Sequence, residues 1–208
     1  MLKAAAVLLV FLGGFAIMVL EIVGVRYLAK DFGGDIYVWV SQIGVILMAL
    51  ALGYAVGGAL ADRFQRAAFL ALPLGLAGLF TLFIPNFTPH LINAIVMRHP
   101  LDKEIPVLWK KLDPVFGSAL VFFLPCFVLA ILSPYMIRLA TRQIERIGTI
   151  SNLVYAANTV DNIAGVFISG YILIDSLAIS EIFHWTGILI LCLAGLSVLM
   201  DYWLAPKR

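Results

Sequence analysis

Two carboxylates lie in otherwise apolar sequence. Asp161 belongs to Asn158-Thr159-Val160-Asp161-Asn162, where four of five residues are polar, and Glu21 interrupts the long apolar run that follows Lys3. An unpaired charge in hydrocarbon costs several kcal/mol, so such a group turns toward a protein interior or water. A carboxylate in that setting can hold a cation or a proton, with Asn158 as a neutral ligand beside it. It can equally form an interhelical hydrogen-bonded knot, because polar side chains also hold helices together in apolar surroundings. Both readings stay open, and both turn Asp161 inward. On a helix, Asn158 shares a face with Asn162 through the four-residue spacing and with Asp161 through the three-residue spacing; Thr159 aligns with Asp161 less well.

Glu21 and Arg26 are five residues apart, which turns their side chains away from each other around a helix. Gln42 enters the next apolar segment at a comparable depth, so Glu21, Arg26 and Gln42 are expected to cluster, as a structural lock ahead of a substrate site. His90, His99 and His184 are scattered, with neither i,i+4 spacing nor a cysteine nearby, and no metal or haem site is expected from them. No nucleophile has a base beside it, and Gly33-Gly34-Asp35 lacks the strand and helix that a phosphate loop requires. The chain reads as non-catalytic, without a cofactor.

The elements that must position these groups follow from composition. Of 208 residues, 63% are hydrophobic and 12% charged, and mean hydropathy is +1.05; soluble domains carry about 25% charged residues. Runs free of charge at Ile36–Ala61, Ala67–Met97, Phe116–Ile137 and Ile182–Met200 match the roughly 20 apolar residues that cross a bilayer. A soluble enzyme fold is excluded, and the net charge of +2 gives no reason to expect nucleic acid. The first segment is too long for a signal peptide and has no small-residue cleavage site, so it is retained as a helix. The reading is an all-α membrane protein, one domain over residues 1–208, with helices at about 4–28, 37–61, 67–84, 115–137, 150–174 and 182–202. Lys3, Arg63, Arg66, Arg138, Arg142, Arg146, Lys207 and Arg208 fall on the side of the termini; Arg26, Lys30, Arg98, Lys103, Lys110 and Lys111 fall opposite. That bias places both termini in the cytoplasm. The long outer loop, residues 85–113, carries apolar residues at helical spacing and is expected to form short interfacial helices or to cover the helix ends. Cys126 and Cys192 lie in apolar runs and act as small hydrophobes.

Gly53 and Gly57 have the small-xxx-small spacing that lets two helices approach closely, and Ala164, Gly165, Ser169 and Gly170 repeat the theme in helix 5. Gly58-Ala59-Leu60-Ala61-Asp62-Arg63-Phe64-Gln65-Arg66 resembles the motif G-x-L-A-D-R-x-G-R between helices 2 and 3 of major facilitator transporters, with Gln65 where that family has glycine. Gly58, Asp62, Arg63 and Arg66 are the residues that match.

A wider likeness runs through Glu21–Gly33, Tyr37–Val40, Gly44–Leu47, Gly53-Tyr54, Ser133–Leu139 and Tyr155–Thr159. These stretches resemble the membrane domain attached to bacterial spermidine synthase-like proteins, which have small residues at the positions of Asp161 and Asn162. The soluble aminopropyltransferase domain of those proteins is not in this sequence. The resemblance implies a half-major-facilitator-like bundle, multi-pass in a bacterial-type inner membrane, with no catalysis of its own. Two functions are compatible with it. One is an accessory or anchoring subunit partnered by other membrane subunits or a second copy. The other is a half-size transporter or binding protein for a small cationic solute such as a polyamine, using Asp161, Glu21 and Asn158.

Overall fold

A computed structural model describes residues 2–99, 105–141 and 147–204. Lys103, Arg142, Arg146, Lys207 and Arg208, which entered the charge bias, lie outside the described residues. The described chain is helical, and six of its helices are long and apolar enough to cross a membrane. They are α1 (Leu2–Phe32), α2 (Ile36–Phe64), α3 (Ala71–Val96, entered through a 3-10 turn at Ala67–Leu70), α4 (Val107–Thr141), α5 (Ile147–Ile168) and α6 (Ile179–Leu204). Below Ile168, α5 widens into a π-turn at Ser169–Leu173 and ends in one further turn, Ile174–Ser176.

The helices run further than composition alone marks out. Leu91, Ile92, Ile95 and Val96, expected on a separate interfacial helix, form the last turns of α3, and Val107 to Asp113 form the first two turns of α4. The described part of the 85–113 segment therefore has no helix of its own. Helical hydrogen bonding carries on wherever nothing interrupts it, and polar residues at the ends of a span do not interrupt it.

The packing has an internal order. α1 and α4 form the centre; α2 lies on α4, α5 on α1, and α3 pairs with α6 behind them, α3 touching α4 and α6 touching α1. Exchanging α1 with α4, α2 with α5 and α3 with α6 leaves this set of principal contacts unchanged. Helices α1 and α4 run in opposite directions across the bundle, so the relation is that of an inverted three-helix repeat.

Close approach fixes the register. At the α3–α6 crossing, a Cβ on Gly78 would stand 2.9 Å from the Leu191 side chain and 3.1 Å from the Gly187 carbonyl; a Cβ on Gly187 would stand 2.6 Å from the Leu82 side chain and 3.0 Å from the Gly78 carbonyl. Each glycine thus faces the other and the leucine four residues beyond it. Gly53 and Gly57 seat α2 on α4 at the Phe127 and Ile131 carbonyls, and Gly165 seats α5 on α1 at Met18 and Phe15. Gly170, expected in the same role, faces open space, as does Gly58. Ser169, of the same group of small residues, is fully buried.

The turn between α2 and α3 closes on Gln65, which adopts the left-handed conformation, φ 42°. This is the position where the resembling motif has glycine. Asp62 pairs with Arg138 of α4 at 2.6 Å, Tyr135 donates to the Arg66 carbonyl at 2.7 Å, and the Ala67 amide donates to Asp201 of α6 at 3.1 Å. These bonds tie α2, α4 and α6 together at one end of the bundle.

Two substitutions test this geometry. Gln65→Gly relieves a left-handed side-chain conformation and should stabilise the fold by about 1 kcal/mol, read as a raised denaturation midpoint in detergent. Gly187→Val meets the backbone of α3 and should cost about 1–3 kcal/mol in the same assay.

Candidate functional site

The polar residues of α5 do not stay together. One narrow stripe of the helix is packed inward, and Val154, Asp161, Gly165 and Ser169 lie on it; Asn158 is half-buried, while Thr159 and Asn162 are exposed on the other side. The five-residue cluster read from the sequence is thus split by the helix turn, and Asn158 and Asn162 part company despite their four-residue spacing. Asp161 is inward, at 0% exposure.

Its carboxyl group meets α1 at Gly14, where a Cβ would collide with all three carboxyl atoms. Gly14 is therefore required by Asp161: any side chain there would take the space the carboxyl occupies. Neither carboxyl oxygen has a hydrogen-bond partner among the described residues. A knot between helices is made of hydrogen bonds, and Asp161 makes none to another helix among the described residues; the backbone donor beside it is the Asn162 amide of its own helix.

Gly14 also lines a cavity of about 20 Å³ bordered by Tyr54 of α2, Ser133 of α4 and Asn158, room enough for one water molecule. Across it the Asn158 side-chain amide donates to the Ser133 hydroxyl at 3.0 Å. Val10, Gly14 and Ile17 form the α1 side of this cavity, and Glu21 is the next residue on the same stripe, seven positions or about 10 Å beyond Gly14. Glu21 is half-buried and makes no hydrogen bond or ion pair among the described residues. The arrangement offers two inward carboxyl groups about 10 Å apart along α1 and one amide–hydroxyl pair, a set of acceptors suited to a cation.

The expected cluster of Glu21, Arg26 and Gln42 is corrected. Arg26 is exposed. Gln42 is fully buried and spans three helices, its side-chain amide donating to the Leu20 carbonyl of α1 at 3.3 Å and its oxygen accepting from the Ser118 hydroxyl of α4 at 2.6 Å. Gly24 leaves room for it, since a Cβ there would press on the Gln42 amide nitrogen and the Phe122 ring. This is a lock, as expected of Gln42, but with other partners.

A second polar cluster joins α3 to α4 at the end opposite the α2–α3 turn. Buried Asp113 accepts from Arg98 and lies 2.7 Å from a ring nitrogen of His99. The Arg98 guanidinium stacks on Trp109 at 4.1 Å. His99, which the sequence leaves isolated, has found its partner through the chain reversal between α3 and α4. Asp113 lines a cavity of about 200 Å³ together with Asp31, Asp35 and Lys110. Of the motif residues, Asp62 reaches Arg138 and Arg63 stacks on Phe64, 5.4 Å from the ring centre. Cys126 and Cys192 are free thiols.

No protein-family model, curated protein or solved structure matches the chain.

Removing one member of the buried lock should expose its value. Ser118→Ala leaves the Gln42 oxygen buried with no donor and should cost about 1–3 kcal/mol, measured by denaturant titration against Gly44→Ala, whose added methyl meets nothing.

Proposed function

We propose that this chain is a non-catalytic membrane module of half-transporter architecture, which binds and moves a small organic cation of polyamine type. The observation that carries the reading is the Asp161 carboxyl: wholly buried, without a partner on another helix among the described residues, and accommodated by a glycine on the facing helix. An ionised carboxyl without a partner in an apolar interior is strongly unfavourable, and a bound cation or proton removes the penalty. A group kept for packing alone would be replaced at no loss by a small apolar residue.

Three features support the cation. Glu21 lies on the same stripe of α1 at about 10 Å, a separation that one flexible chain bearing two ammonium groups can bridge. Asn158, Ser133 and Tyr54 add neutral oxygens between the helices. The inverted relation of the two helix triplets is the arrangement in which transporters hold a site between repeats. Asp161 is the central ligand, Glu21 the second carboxyl, and Asn158 the neutral one.

A second reading has its own support. Asn152, Thr159 and Asn162 are exposed on the outer face of α5 among apolar side chains, polar groups that a neighbouring subunit could meet, which fits an anchoring subunit of a larger assembly.

The two separate on one substitution. Asp161→Asn should abolish uptake of radiolabelled spermidine into proteoliposomes, at least tenfold below wild type, with thermal stability retained. Undiminished uptake in the variant, or none in wild type, would remove the transport reading.

A further inference from the structure

The helix that carries Asp161 is the least apolar and the least covered of the six. Within its span, Asn152–Ser176, the 18-residue core has a mean hydropathy of 1.2 against 2.1 to 2.7 in the other spans, and 17% of that core is buried, against 28% to 61%. Packing on α1 uses one stripe. Away from that stripe, Asn152, Tyr155, Thr159, Asn162 and Val166 are all exposed, at successive spacings of three, four, three and four residues. That is the seam spacing of two helices wound around each other.

This seam runs beside exposed Leu153, Val160, Ile163 and Phe167, and its amides are costly to leave against lipid. Asn152 and Asn162 have no side-chain hydrogen bond among the described residues, and Thr159 bonds only to the Tyr155 carbonyl of its own helix at 3.1 Å. Asn162 lies ten residues into the span, where no water reaches an amide and an unmet one is costly.

We propose that this face of α5 is the contact between two copies of the chain. The choice of a second copy rests on self-complementarity. A carboxamide is at once donor and acceptor, so Asn162 can satisfy an identical Asn162. Two copies inserted in the same direction are related by a two-fold axis along the membrane normal, which sets α5 against α5 in parallel and in register. Asparagine at one seam position is a device that fixes such a register. The other poorly covered helix, α2, presents mainly Leu47, Met48 and Leu52 outward, with the Tyr54 hydroxyl beside them, and carries no exposed carboxamide to pair with Asn162.

The proposal stands independently of solute transport, since none of its residues is a proposed ligand of the cation. In a dimer so formed, the two Asp161 sites lie on either side of a shared α5 pair.

Cross-linking in the producing cell's own membranes tests it. In a Cys126→Ala, Cys192→Ala background, oxidation of Thr159→Cys or Asn162→Cys should yield a disulfide-linked band of twice the chain's mass. The yield should be at least tenfold above that of Leu72→Cys, which is exposed on α3. No dimer from either α5 position, an equal yield from Leu72→Cys, or linkage to a different polypeptide overturns the proposal. If the cysteine variants fail to accumulate, Asn162→Leu serves instead, because its side chain is outside the packed core. Its dimerisation constant in bilayers, read by energy transfer between labelled copies, should fall roughly tenfold; an unchanged constant overturns the proposal.

Discussion

A helix bundle that crosses hydrocarbon has no water to complete its hydrogen bonds, so each polar side chain inside it must be met by another group of the chain or by a ligand. Gln42 is met twice, by Leu20 and Ser118, and its reach across three helices fixes how α1, α2 and α4 stand together. Asp113 is met by Arg98 and His99, and fixes how α3 returns into α4. Asp161, like the Ser169 hydroxyl on the same stripe, is met by no group of another helix among the described residues. The same rule that makes the first two structural is what the proposed cation would satisfy at the third.

The inverted order of the bundle sharpens that contrast. α2 meets α4 along Ala49, Gly53 and Gly57, and α5 meets α1 along Asp161, Gly165 and Ser169, with equal spacing on both helices. The glycines at the middle of each stripe do the same work, bringing backbone against backbone. The first member differs: a small apolar Ala49 in one triplet, a carboxyl in the other. Conversely, Gln42 serves one triplet only. Shared packing accounts for what the two halves have in common, and the proposed site lies where they depart from each other.

Much of this architecture is legible in the sequence because hydropathy is a bulk property: six spans stand out from their neighbours whatever their partners are. The inward turn of Asp161 follows from the cost of charge in lipid, and the structure agrees. Helix ends are less legible, since α3 and α4 continue through amphipathic turns that resemble separate interfacial helices. Partners are least legible of all. Gly165 and Gly170 have the same type and nearly the same place, yet only Gly165 is in contact, because a helix turns 100° per residue and a stripe is narrow. Gly14 gave no signal as a single glycine; its meaning comes from Asp161, 147 positions away. His99 and Asp113 are joined only by the reversal between their helices.

The central claim is that Asp161 meets its missing partner in a bound cation. Infrared difference spectra of the protein in lipid bilayers, recorded on adding spermidine, address the carboxyl group itself. The account predicts a change in a carboxyl band of the wild type that is absent from Asp161→Asn. The same band change in both proteins, or no change in the wild type, would contradict it.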